Sequence, residues 1–195
     1  MKFNRRNAIV AASALFLGAA HSAGVTDTEI VIGTHIDLSG PAAIGMPPLR
    51  NSMQMRIDEV NAAGGIRWSD GRMRPIEVVL FDSKGRPEDA LSSLRAAVDQ
   101  GIRIVMQGNS SAVAAALIDA INKHNVREPS QRVVFLNYAA VEPALTNEGC
   151  SFWHFRYDAH AQMRMAALMH PIQANETLKR VYLIGQDYSF GQSVV

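Results

Sequence analysis

The stretch Ile102-Arg103-Ile104-Val105-Met106-Gln107-Gly108-Asn109-Ser110-Ser111 decides the fold. A β-branched, apolar run ends in a polar loop containing a glycine, and a segment with Val113, Leu117 and Ile121 at helical spacing follows at once. Strand, tight loop and helix in that order form the unit from which parallel sheets are wound. The same unit recurs along the chain. Glu29–Ile36 alternates and is β-branched, the breaker Asp37-Leu38-Ser39-Gly40-Pro41 follows, and a helix is predicted over 47–61. Leu49, Met53, Ile57 and Val60 share one face of that helix, and Gly64-Gly65 stops it. A second strand is predicted over 75–82 after a turn at Ser69-Asp70-Gly71. Pro87 then opens a helix whose first turn carries Glu88 and Asp89, which suit the positive helix start. That helix bears Leu91, Leu94 and Val98 and ends at Gly101. Ile102–Met106 is the third strand, and Val133–Asn137 is the fourth, running into a long polar loop.

This alternation predicts an α/β fold: an open, mainly parallel sheet with helices on both faces. Crossovers are expected to be right-handed. After Gly149 the pattern resets, with an extended aromatic stretch over 152–157, a helix over 159–173 turning Met165, Leu168, Met169 and Ile172 inward, and a new strand over 179–184. One strand and one beginning helix cannot close a core. The expected organisation is therefore a leader at 1–23, a first ligand-binding lobe at 24–150, and at 151–195 a crossover with the incomplete start of a second lobe.

Composition narrows the function. The 195 residues hold 19 Lys+Arg against 18 Asp+Glu, 48% apolar residues and one cysteine, which fits neither a disordered chain nor a disulfide scaffold. A formal charge of +1 supplies no cationic surface for a phosphate backbone, so no nucleic-acid partner is expected. Lys2, Arg5 and Arg6 precede the uncharged run from Ala8 to Ala20, with small residues at Ala20, Ser22 and Ala23. That is the order of a secretory signal, and the run is shorter than the roughly 20 apolar residues that span a bilayer. Without the leader, 16 Lys+Arg face 18 Asp+Glu, a formal charge of −2. The predicted location is the periplasm. Cys150 is expected to be a buried, inert thiol or to pair with a cysteine beyond Val195.

In open parallel sheets ligands bind beyond the carboxyl ends of the strands. Asn109, Ser110 and Ser111 stand there, at a helix start whose free N–H groups and dipole favour a carboxylate, although either serine could instead only cap the helix. Tyr138 follows the fourth strand, and Tyr157, Asp158 and His160 lie at the crossover. An aromatic wall and an acid could hold an apolar side chain and an ammonium, or simply pack a hinge. His35 is expected in the core or at its rim, and His124 and His170 at helix ends. The sequence contains no phosphate-binding glycine loop, no dinucleotide fingerprint, no His-Glu-x-x-His zinc motif and no nucleophile elbow. No catalytic residue, metal or cofactor is predicted.

Several stretches resemble the periplasmic substrate-binding proteins of branched-chain amino acid (Leu/Ile/Val-type) ABC transporters, the type I periplasmic binding fold. They are Ile32-Gly33 with Leu38-Ser39-Gly40-Pro41, Asp58 to Ile66, Phe81-Asp82 with Pro87, Gly108 to Ser111, Pro143-Ala144-Leu145-Thr146, Phe155-Arg156, and Asp187-Tyr188 to Gly191. The resemblance implies two lobes closing on a small solute, delivery to a membrane permease with its ATPases, and no catalysis. It implies that Ser111 bonds the ligand carboxylate and that Ala139 and Val141 present contacts from the fourth-strand loop. Ile44 would reach the side-chain pocket, Phe190 would cover the ligand, and Asp158 or His160 would stand near the acidic contact. Val141 stands where the family often has Thr, and the 152–157 and 182–188 stretches look like a branch whose solutes include aromatic acids or amides. A sensory receptor of the same fold is the alternative function.

Overall fold

The computed structural model describes residues 24–178 and 180–194, so the leader predicted over 1–23 lies outside the described residues. One five-stranded sheet organises the chain: β1 Ile30–Ile36, β4 Ile76–Asp82, β5 Ile104–Gln107, β6 Val134–Asn137 and β7 His154–Arg156. A two-strand hairpin, β2 Ile66–Arg67 and β3 Met73–Arg74, stands apart from it. The sheet order is β4-β1-β5-β6-β7, and every pairing within it is parallel. The helices are α1 Met46–Ala62, α2 Pro87–Asp99, α3 Ser111–Arg127, α4 Ala161–Gln173 and α5 Ser189–Gln192. The predicted architecture stands.

Two adjacent side chains of β1 show how the helices divide between the faces, because successive strand residues point to opposite sides. Thr34 reaches Met53 of α1, whereas His35 reaches Ser93 of α2. On the α2 side, where α3 also packs, Val31, Phe81, Leu94, Ile102, Val105, Val113, Leu117, Ile121, Val133 and Phe135 form the core. Fully burying such a side chain contributes about 1.5–3 kcal/mol, so Val113, Leu117 and Ile121 outweigh any single cap in fixing α3. The α1 side is thinner. Leu49, Met53, Ile57 and Val60 turn inward as their spacing predicts but are only half-buried, as are Ile104, Met106, Val134 and Leu136 beneath that face.

Asparagines lock helices to the strands that follow. Asn61 donates through Nδ2 to the Ile76 carbonyl and accepts the Ile76 N–H, at 2.8 and 2.7 Å. Asn125 does the same for Val133 at 2.9 and 2.8 Å. Two carboxylates then tie the first strand ends to each other. Buried Asp37, just past β1, accepts the Ser83 hydroxyl and the Gly85 N–H beyond β4. Asp82, closing β4, accepts the Ser39 hydroxyl and the N–H groups of Leu38, Ser39 and Lys84. Burial alone would raise the Asp82 pKa, but these donors outweigh it and hold the carboxyl below its usual value.

Three expectations need correction. The strand predicted over 179–184 is absent: residues 180–184 have no regular structure, and Tyr182 and Ile184 are 87% and 96% exposed. Among the described residues no strand lies beside them, and an unpaired strand has no ladder to form. Leu168, expected inward, is exposed because α4 has little to pack against there. Cys150 is exposed in the loop after the 3-10 turn Pro143–Leu145. The aromatic stretch over 152–157 supplies β7, so the first sheet extends past residue 150. His124 and His170 do occupy last turns of helices.

His35 is fully buried, stacked on Phe81 with ring centroids 5.3 Å apart. The Ser93 hydroxyl donates its one proton to the Ala90 carbonyl, so His35 Nδ1–H donates to Ser93 Oγ at 2.9 Å. Burial lowers its pKa from 6.5 to about 4. Below pH 6.5 the unfolded chain therefore takes up a proton that the folded chain refuses. The stability from neutral His35 is whole above pH 6.5 and declines toward pH 4, by about 3 kcal/mol. Urea unfolding between pH 7.5 and 4 is expected to show that decline and a shallower one in His35→Gln; parallel pH curves for the two proteins would refute it.

Candidate functional site

Strand β1 is flanked by β4 on one side and β5 on the other, so the connections reverse direction between β1 and β5. This is the switch point at which open α/β sheets leave a crevice beyond the strand ends. The β5 loop opens directly into α3. Ser110 is the cap in extended conformation, and its hydroxyl accepts the Val113 N–H at 3.4 Å. The Ser111 and Ala112 N–H groups have no acceptor among the described residues and lie at the positive end of the helix dipole. Ser111 itself is 3% exposed, and its Oγ accepts the Glu142 N–H at 3.4 Å. That long contact uses a lone pair and leaves the hydroxyl proton free to donate.

The loop after β6 leans against this helix start. Asn137 shapes it from below, accepting the Ala139 and Ala140 N–H groups through Oδ1 and donating to the Ala140 carbonyl. Gly108 permits the approach: a Cβ there would meet Ala139 N and Tyr138 Cδ2, each at 2.5 Å. The Tyr138 hydroxyl is buried without a hydrogen-bond partner. Burial raises its pKa to about 12, and the Asp37 charge adds to that. Arg156, on β7, donates to the Glu142 carbonyl at 2.9 Å and to Thr146 Oγ1 at 2.6 Å, holding the far side of the loop.

Asn109, Ser110, Ser111, Tyr138, Ala139 and Val141 thus meet around the start of α3. Ala139 is half-buried; Val141 is buried, and its carbonyl accepts the Ala161 N–H that begins α4. The remaining candidates stand otherwise. Asp158 pairs with Arg164, and His160 caps α4 by accepting the Met163 N–H through Nδ1. Ile44, in the 3-10 turn Ala43–Gly45, is 90% exposed. Phe190, on α5, packs against Tyr188 with centroids 5.9 Å apart, and α5 lies against α3. The Tyr188 pKa is raised by burial and by the Glu142 charge.

Gln107, Asn137, Glu142 and Arg156 belong to the same cluster, and none of the four was among the ligand contacts expected from the sequence. The available signal was a polar residue closing each of two apolar strands, Gln107 and Asn137. Among the described residues no group of three His, Cys, Asp or Glu side chains converges to hold a metal, and no helix is long and apolar enough to cross a membrane. A groove of about 740 Å³ between α2 and α3 is lined by charges of both signs and lies in the helix layer, away from the strand ends.

A parallel sheet with loops gathered around a free helix start at its switch point defines the open α/β class that takes small ligands at strand ends. Within that class the chain belongs to the periplasmic binding protein family, whose model matches residues 29–195. It is 32% identical over 186 residues to Leu/Ile/Val-binding protein homolog 4 of Brucella abortus, covering 95% of this chain and 43% of that protein. The chain spans less than half the length of the curated relatives it matches. The leucine-, isoleucine-, valine-, threonine- and alanine-binding protein of Brucella ovis, in its closed conformation, superposes with a TM-score of 0.70 at 31% identity, over 85% of this chain and 42% of that one. A Rhodopseudomonas palustris solute-binding protein solved with 3,4-dihydroxybenzoic acid shares the fold, with a TM-score of 0.69 at 17% identity over 87% and 42%.

Gly108→Ala is expected to cost about 1–3 kcal/mol, because the colliding atoms include backbone that cannot swing away. Chemical denaturation measures this, and an unchanged midpoint would mean that the Tyr138–Ala139 loop does not press on Gly108.

Proposed function

We propose that the chain forms the first lobe and the beginning of the second lobe of an exported solute receptor serving an ABC importer. The boundary expected at residue 150 moves past β7, which pairs in the first sheet, so the first lobe runs from 24 through Arg156 and the crossover and start of the second lobe follow, with the rest of that lobe beyond Val195 and the leader 1–23 directing export to the periplasm. The solute is a branched-chain amino acid or a related small carboxylated molecule, delivered to a membrane permease and its ATPases without chemical change. The observation that carries this reading is the helix start at α3, where two free N–H groups and two serine hydroxyls meet the 139–142 loop. Such donors match the two oxygens of a carboxylate. The curated relatives named as Leu/Ile/Val-binding proteins and the Brucella ovis amino-acid-binding structure support the same class.

In this mechanism Ser111 and the free amides hold the carboxylate on the first lobe, and Ala139 and Val141 line the approach. Phe190 with Tyr188 covers the solute from the second lobe, and Asp158 or His160 stands near its ammonium. Ile44 reaches over its side chain. Contacts made only when the lobes meet bias an open-closed equilibrium; moving it from 1:99 to 99:1 takes about 5.5 kcal/mol of differential binding.

A thermal-shift screen of amino acids and aromatic acids against the protein at its full natural length identifies the solute. Losing a charge-assisted hydrogen bond costs about 1.5–3 kcal/mol, so Ser111→Ala is expected to weaken binding at least tenfold by calorimetry. Unchanged affinity would remove Ser111 from the site.

A further inference from the structure

Gln107 is the last residue of β5 and is completely buried, an unusual place for a carboxamide. Its Nε2 donates both of its protons upward into the loop that follows, to the Ser110 carbonyl at 3.1 Å and to Asn109 Oδ1 at 3.2 Å. Its own Oε1 has no donor. A buried amide with an unmet acceptor costs stability, so its presence calls for an explanation beyond packing.

The two bonds act on groups that point at the site. A peptide unit is planar and trans, so its C=O and its N–H point in opposite directions. Gripping the Ser110 carbonyl therefore fixes the plane of the Ser110–Ser111 peptide and aims the free Ser111 N–H away from Gln107, outward from the helix start. The Ser110 carbonyl also accepts the Ala114 N–H at 3.0 Å, so the grip and the first turn of α3 reinforce each other. Holding Asn109 Oδ1 orients that carboxamide as well, and leaves Nδ2 buried without an acceptor. One side chain thus sets the direction of two donors, the Ser111 N–H and Asn109 Nδ2, that have no acceptor among the described residues.

We infer that Gln107 is a positioning residue: from beneath the β5 loop its carboxamide aims the Ser111 N–H and the Asn109 amide at a ligand carboxylate. It makes no ligand contact of its own. This rests on the carboxylate-receptor reading and adds the device that gives that reading its selectivity, a preference for a charged carboxylate over the neutral amide of the same molecule. Donors held in advance favour the anion because nothing has to reorganise when it arrives.

The test compares L-leucine with L-leucinamide, and benzoate with benzamide, by calorimetry on the full-length protein. The wild type is expected to favour the carboxylate of at least one pair by tenfold or more. Gln107→Met keeps the volume, removes both bonds, and is expected to cut that ratio at least tenfold while changing affinity for the amide less than twofold. A residue that merely supports the fold would move both affinities together. Where Gln107→Met does not fold, Gln107→Glu serves: neutral or ionised, it has at most one proton to donate in place of two, and is expected to lower the ratio at least threefold. A folded variant that retains the wild-type ratio overturns the role of Gln107 and leaves the receptor reading standing. A wild type with no carboxylate preference in either pair overturns the receptor reading and this inference together.

Discussion

A polar side chain buried inside a sheet must find partners in the backbone around it, and the rest of this structure depends on how that demand is met. His35, Gln107 and Asn137 occupy neighbouring strands close to their carboxyl ends, on the face covered by α2 and α3, and all three are fully buried. An apolar residue in any of these places would pack without making a claim on its surroundings. Instead Gln107 and Asn137 reach forward and grip the loops that leave their own strands, and His35 reaches Ser93 on the helix above. The loops are held from inside the core, so their shape follows from the sheet.

The carboxylates at the first two strand ends extend the same logic across the edge. Asp37 holds the turn after β4 and Asp82 holds the turn after β1, so neither loop moves without the other. Asn61 and Asn125 close the opposite end of the sheet by clamping helix to strand. Polar groups thus set the connections at both ends, and apolar groups fill the space between. This division of labour keeps the loops ordered even though one sheet face is only half covered.

Much of this was legible in the sequence, because periodicity reports which face of an element is buried. The strands and the half-buried face of α1 follow from alternation and from the spacing of Leu49, Met53, Ile57 and Val60. The place of Asn109, Ser110 and Ser111 at the start of α3 could be read because a strand-loop-helix unit brings the residues after the strand to the helix start. What failed to read depends on partners distant in the chain. Tyr182, Leu183 and Ile184 have the composition of a strand, yet a strand exists only beside another. Cys150 looked like a core residue by type, but its place after a 3-10 turn leaves it in solvent. Gln107 passed as a loop residue because a carboxamide gives no periodic signal, and only its pairing with Asn137 reveals that it belongs to the strand. The grip of Arg156 on the 142–146 loop joins positions ten or more residues apart and has no local signature.

The crowding at Gly108 limits how the sequence around the start of α3 can change. With backbone nitrogen and an aromatic ring both 2.5 Å from where a side chain would begin, any residue with a β-carbon forces this loop to shift. Variation near the start of α3 has to arise at half-buried neighbours such as Ala139, while the backbone around Gly108 stays as it is. Substitutions are free to redecorate the rim of this loop long before they can rebuild its floor.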